Sequence, residues 1–137
     1  MADANTHYPR VIQPQLSADL RLYPVVAVMG ARQVGKSTIC QEIAEAHGFA
    51  RRTLDDRDVR EQAIADPEGF LADFGDGGAF IDEVQRAPDL MLAIKGVVDR
   101  DGRNGQYLVS GSNQPKVGKS VSDSLLGRAT YRTLRPL

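Results

Sequence analysis

Apolar residues along this chain come in short runs separated by stretches of helical spacing. Pro24-Val25-Val26-Ala27-Val28-Met29, Phe49 to Leu54, Ala79-Phe80-Ile81, Tyr107-Leu108-Val109-Ser110 and Ala129 to Leu134 each read as a strand. Between them the period changes to three or four residues. Ile39, Ile43 and Ala46 line one face of a predicted helix from Thr38 to His47 that ends near Gly48. Asp58 to Ala65 follows, after the acidic turn Asp55-Asp56. Pro67 opens a shorter helix carrying Phe70, Leu71 and Phe74 inward. Leu90, Met91, Ile94, Val97 and Val98 set the apolar face of a helix from Asp89 to Asp99. Upstream, Val11, Ile12, Leu16, Leu20 and Leu22 predict an amphipathic helix interrupted at Pro14, with residues 1–7 polar and loose. A last helix is expected around Leu125-Leu126. Strands alternating with helices predict an α/β domain, a parallel sheet covered on both faces. Residues 1–24 form a lead-in and residues 25–137 the core.

At 137 residues this is one domain, and 42% hydrophobic with 26% charged residues is ordinary for a soluble globular chain. A net charge of −1 argues against a protein whose main work is coating nucleic acid. The charge is uneven, however. Residues 41–110 carry eight basic and fifteen acidic side chains, whereas residues 111–137 carry five and one. The basic end is therefore either a solvated face or a surface that meets phosphate, from nucleotide or nucleic acid. Cys40 is the only cysteine, which rules out an intrachain disulfide and suits a reducing compartment. It reads as a small buried side chain, and His7 and His47 have no metal-ligand spacing. Without a signal peptide or an 18-residue apolar span, a cytoplasmic protein without a membrane anchor is expected.

The chemistry is carried by Gly30-Ala31-Arg32-Gln33-Val34-Gly35-Lys36-Ser37, which fits the phosphate-binding loop pattern in full. Chance would produce the four fixed positions in about one chain in a few hundred of this length. The loop sits between an apolar strand and a helix, as the chemistry requires. Glycines at 30 and 35 let the backbone turn tightly, and amides from Gln33 through Val34, Gly35, Lys36, Ser37 and Thr38 can then converge on phosphate. Lys36 would reach the β- and γ-phosphates, and Ser37 would ligate Mg²⁺. The helix N-terminus adds its partial positive charge.

Asp82 and Glu83 follow the strand Ala79-Phe80-Ile81, at the end of the sheet where α/β folds bind ligands. There Asp82 suits the magnesium shell and Glu83 a general base for the attacking water. Ser110, Ser112 and Asn113 end the fourth strand and are candidates to sense the γ-phosphate, or they simply make a turn. Gly118-Lys119-Ser120 lacks the first glycine of the pattern and is a decoy. Arg128 precedes the last strand, either as a surface arginine or as a group reaching a neighbouring subunit's nucleotide.

Together, Gly-Ala-Arg-Gln-Val-Gly-Lys-Ser-Thr, Phe-Ile-Asp-Glu-Val-Gln-Arg-Ala-Pro, Leu-Val-Ser-Gly-Ser and Ser-Leu-Leu-Gly-Arg-Ala resemble a prokaryotic AAA-type P-loop ATPase family. It belongs to the branch with an additional strand between the phosphate loop and the acidic strand, and is similar to origin-recognition and signal-transducing ATPases. The resemblance runs from about Tyr8 to the last residue. It implies a three-layer P-loop NTPase sandwich with a parallel five-stranded sheet in the order 5-1-4-3-2. It also implies Lys36 and Ser37 as phosphate and magnesium residues, Asp82 and Glu83 as the acidic pair, and Arg128 in the arginine-finger position. Relatives of this kind continue into a helical lid and a further domain. Here the sequence ends at Leu137, so a core without its lid is expected, with a homo-oligomer or a partner chain to supply it. Three functions stay open: slow hydrolysis of Mg-ATP, a nucleotide-dependent regulatory or interaction module linked to nucleic acid, and a small-molecule kinase. The lack of a guanine-reading Asn-Lys-x-Asp tilts the base toward adenine.

Overall fold

A computed structural model describes residues 3–30, 35–112 and 128–134. The elements run α1 (Asp3–Leu22), β1 (Val25–Gly30), α2 (Lys36–His47), β2 (Ala50–Thr53), α3 (Arg57–Ala65), α4 (Pro67–Ala72), β3 (Ala79–Asp82), α5 (Asp89–Asp101), β4 (Tyr107–Gly111) and β5 (Ala129–Leu134), with a 3-10 turn at Val84–Arg86 after β3. All strand pairs are parallel, in the order β2-β3-β4-β1-β5. Read from the other edge this is 5-1-4-3-2, so the expected topology is the one observed.

Strand periodicity divides the core in two. Val25, Ala27, Ala79, Ile81, Tyr107 and Val109 point to one face, where Leu71 of α4 and Leu90, Met91, Ile94 and Val98 of α5 cover them. The alternate residues Val26, Val28, Phe80 and Leu108 point to the other, against Leu16 and Leu20 of α1 and Ile39 and Ile43 of α2. This explains why the central strands read as unbroken apolar runs: each of their side chains meets a helix layer. Burying a side chain of this size contributes about 1.5–3 kcal/mol. The edge strand β2 is exposed at all four positions. Arg51 pairs with Glu45 at 3.6 Å, and the Arg52 guanidinium lies 5.7 Å from the centre of the Phe74 ring. Two arginines on an open edge discourage pairing with a further strand.

Two expectations at the N-terminus are corrected. Residues 3–7 are helical rather than loose, and α1 passes through Pro14 without interruption. A proline costs the ladder one N–H, but its fixed φ is helical, and neighbouring turns carry the helix on. The docking of Leu16 and Leu20, with Asp19 accepting two hydrogen bonds from Arg132 of β5 at 2.8 and 3.1 Å, anchors the helix in the core. The helix expected around Leu125-Leu126 and the decoy at 118–120 lie outside the described residues.

Candidate functional site

β1 enters the phosphate loop at Gly30, and α2 leaves it at Lys36. Gly35, immediately before α2, has φ 78° and ψ 20°, a left-handed conformation that glycine adopts without steric cost. Gly30 has φ 150°, and a Cβ there would lie 2.5 Å from the carbonyl oxygen of Leu134 on β5. Its conservation of space thus serves the sheet as well as the loop. Residues 31–34 are outside the described set, so the structure does not place Gln33 and Val34. Lys36, Ser37 and Thr38 form the first turn of α2. Their backbone N–H groups are among those a helix leaves without an internal partner.

The acidic pair meets this turn because of strand parity. Along β3, Phe80 and Asp82 face α2, and along β4, Leu108 and Ser110 do the same. Ser37 Oγ donates to Asp82 Oδ2 at 3.0 Å, and Ser110 Oγ donates to Asp82 Oδ1. The Glu83 backbone N–H also donates to Asp82 Oδ1, at 3.0 Å. Three donors on two oxygens fix the carboxylate.

A continued strand would send Glu83 toward α5. Instead Glu83 has φ 57° and ψ 47°, the only non-glycine residue with positive φ among the described residues. Such a conformation costs of order 1–3 kcal/mol and tends to persist at functional sites. It brings Glu83 Oε2 to 3.5 Å from Lys36 Nζ, with the two side chains only 1% and 3% exposed. A charge buried to that degree needs a counter-charge, and each supplies the other's.

One residue of the cluster is absent from the sequence-based set. Gln85, in the 3-10 turn, donates from Nε2 to Glu83 Oε1 at 2.7 Å and to Ser112 Oγ at 3.4 Å. Its Oε1 accepts the Ser112 backbone N–H at 3.2 Å, and Ser112 Oγ lies 3.5 Å from Glu83 Oε1. Ser110 and Ser112 therefore take different places, Ser110 on Asp82 and Ser112 beside Glu83. The motif around Gln85 was legible, but nothing in its spacing signals a contact with the end of β4. Asn113 lies outside the described residues.

Arg128 is not brought to this cluster. It precedes Ala129, which pairs with Val25 at the start of β1, whereas Gly30 and the loop are at the strand's other end. There it pairs with Asp99 at 2.7 Å and donates to the Val98 carbonyl at 3.4 Å. The hydrogen bond from Lys95, with the charges of Lys95 and Arg128, holds the Asp99 carboxyl below its ordinary range. Arg132, another residue of the basic end, is committed to Asp19.

Cys40, one turn along α2 from Lys36, is buried as expected. Burial, then the Asp82 charge, pushes its thiol up to about 12, so it holds its proton and does not act as a nucleophile. A hollow of about 220 Å³ bounded by Gln41, Arg51, Arg52, Thr53, Phe80 and Asp82 adjoins the site. A larger cavity of about 580 Å³ lies away from it, around Gln106 and Tyr107 at the opposite end of β4.

The donor set suits magnesium. Ser37 and Asp82 offer two hard oxygens on neighbouring elements, and no cluster of three or more His, Cys, Asp or Glu ligands occurs among the described residues. Mg²⁺ takes one or two protein oxygens and completes its octahedron with water and phosphate, so this sparse set fits it better than an all-protein cage would.

Comparison with known proteins bears on the family and the fold. A profile described as AAA domain matches residues 22–137. Uncharacterized proteins of Mycobacterium bovis and Mycobacterium tuberculosis are each 35% identical over 116 residues, covering 83% of this chain. The chain spans 25% of the length of these relatives. Among solved structures, a DNA replication initiation factor aligns with a TM-score of 0.59 and 15% identity, over 96% of this chain and 47% of that one. AMPPCP-bound DnaA from Aquifex aeolicus gives 0.57 and 17% over the same shares, and C. elegans PCH-2 gives 0.57 and 14% over 93% and 42%. At such identities the structural likeness establishes the fold. Among the described residues no helix is long and apolar enough to cross a membrane.

Proposed function

The chain belongs to the AAA domain family, an ATPase-type nucleotide-binding family, and on that premise we propose that it binds Mg-ATP at the mouth of its sheet and hydrolyses it slowly to ADP and phosphate. The observation that carries this reading is the meeting of Lys36 and Ser37, at the start of α2, with Glu83 and Asp82, at the end of β3. Few arrangements place a buried ammonium, a hydroxyl and two carboxylates at the root of a glycine-rich turn for another purpose.

Lys36 exchanges its carboxylate partner for the β- and γ-phosphates, while the amides of Gly35, Lys36, Ser37 and Thr38, with those of Gln33 and Val34, cradle the polyanion. Gly30 gives the loop its sharp entry. Ser37 and Asp82 would hold the magnesium ion, which when bound neutralises charge on the phosphates. Glu83, freed from Lys36, takes a proton from the attacking water. Ser112, whose Oγ lies 3.5 Å from Glu83 Oε1, takes the role of responding to the γ-phosphate in this reading. Arg128 lies at the other end of β1 from the loop, and this reading gives it a transition-state role only at a neighbouring subunit's nucleotide. A lone chain lacking that arginine turns over slowly, since such a group supplies about 10³–10⁵ in rate.

Calorimetry with Mg-ATP and Mg-ADP, beside a phosphate-release assay, tests this. Lys36→Ala should lose nucleotide binding. Glu83→Gln should keep binding and lose turnover by about a hundredfold or more. Undiminished turnover in Glu83→Gln would remove Glu83 from the role, and unchanged binding in Lys36→Ala would remove the loop. Binding without phosphate release in the wild type would instead favour a nucleotide-dependent regulatory module.

A further inference from the structure

We propose that Gln85 is the positioning residue of Glu83, holding its carboxylate in register with the end of β4 once nucleotide has taken Lys36 away. The inference rests on the hydrolytic reading above. It starts from how the two oxygens of Glu83 are held: Oε2 lies 3.5 Å from Lys36 Nζ, and Oε1 accepts from Gln85 Nε2 at 2.7 Å. A phosphate that captures Lys36 removes the first contact and leaves the second. Gln85 then keeps its short hydrogen bond to Oε1 and holds the orientation of the carboxylate while Lys36 turns to phosphate.

Chemistry fixes the orientation of the carboxamide. Its NH₂ faces a carboxylate and its oxygen faces the Ser112 N–H at 3.2 Å. The flipped amide would set oxygen against carboxylate and NH₂ against N–H, repulsive at both ends. Space fixes its position as well. A Cβ on Gly111 would lie 2.5 Å from Gln85 Oε1, so the glycine leaves the slot into which the carboxamide fits. The left-handed turn at Glu83 opens the 3-10 turn that carries Gln85, so base and tether are set by one local backbone conformation. Through Ser112, which touches both Gln85 and Glu83, a change at the end of β4 is passed to the base.

Steady-state turnover and nucleotide binding of wild type, Gln85→Ala, Gln85→Asn and Gln85→Ala in a Glu83→Gln background test the assignment. Gln85→Ala should lower kcat about 10- to 100-fold with Kd for Mg-ATP changed less than threefold. Gln85→Asn, one methylene too short to span Glu83 and Ser112 together, should behave alike and serves if the alanine variant misfolds. In the Glu83→Gln background, loss of Gln85 should lower the residual rate no further, because there is no base left to position. A merely structural role would lower it again and shift Kd. Equal or higher kcat in Gln85→Ala, or an additive loss in the double variant, overturns the proposal alone. A wild type that binds nucleotide and releases no phosphate overturns the hydrolytic reading, and this proposal with it.

Discussion

Lys36 and Glu83 occupy one another in a nearly dry environment, and that single contact makes their two duties interdependent. The cation that would bind phosphate also neutralises the carboxylate that would activate water. A neighbouring residue reports on the same environment by titration. The Cys40 thiol is raised from 9.0 to about 12, mainly by burial. An acid whose folded value is raised stabilises the fold fully below its unfolded value and loses that contribution as pH rises through the folded one. Stability should therefore decline between pH 9 and 12, by up to about 1.4 kcal/mol per pH unit from this group. Urea melts across that range should show a shallower decline in Cys40→Ala, and thiol reagents at pH 8 should label Cys40 only after unfolding. Prompt labelling of the folded chain would contradict its placement.

The elements show which signals a sequence carries well. The apolar runs of β1, β3 and β4 and the spacing of α5 were legible because burial on both faces leaves a local mark. α1 was legible only from Val11, since Asp3 to His7 are polar and Pro14 usually ends a helix. The bond between Asp19 and Arg132, 113 positions apart, leaves no local trace. Lys36, Ser37, Asp82 and Glu83 stood out because their motifs combine residue type with a strand or helix end. Gln85 did not, because its role depends on Gly111 and Ser112 arriving from another strand. Local caps can be tested directly. The Asp66 side chain accepts the Gly69 N–H at 3.0 Å at the start of α4, and a Cβ on Gly69 would collide with that carboxylate at 2.2 Å. Asp66→Ala should cost about 1 kcal/mol in denaturant melts. Gly111→Ala, which fills the Gln85 slot, should reproduce the loss of turnover expected for Gln85→Ala while keeping nucleotide affinity.

For the molecule as a whole, a ligand that binds only the folded state adds stability by mass action. Mg-ATP at a hundredfold above its Kd should add about 2.7 kcal/mol and raise Tm by several degrees, an increment absent from Lys36→Ala. An equal shift in both proteins would place the nucleotide elsewhere. The sheet divides labour between its faces: Asp82 and Ser110 look toward α2 and the chemistry, while Ile81 and Val109 look toward the structural layer of α5. β3 consequently works as a reading frame. Its side chains alternate with a period of two, so one residue inserted between Ala79 and Ile81 would turn Asp82 into the apolar layer and deliver Ile81 to Ser37 in its place. Helix surfaces around the sheet can drift by substitution at small cost. The spelling of this four-residue strand can change too, but its length cannot, and insertions that alter the chain count should be found in its loops and never within it.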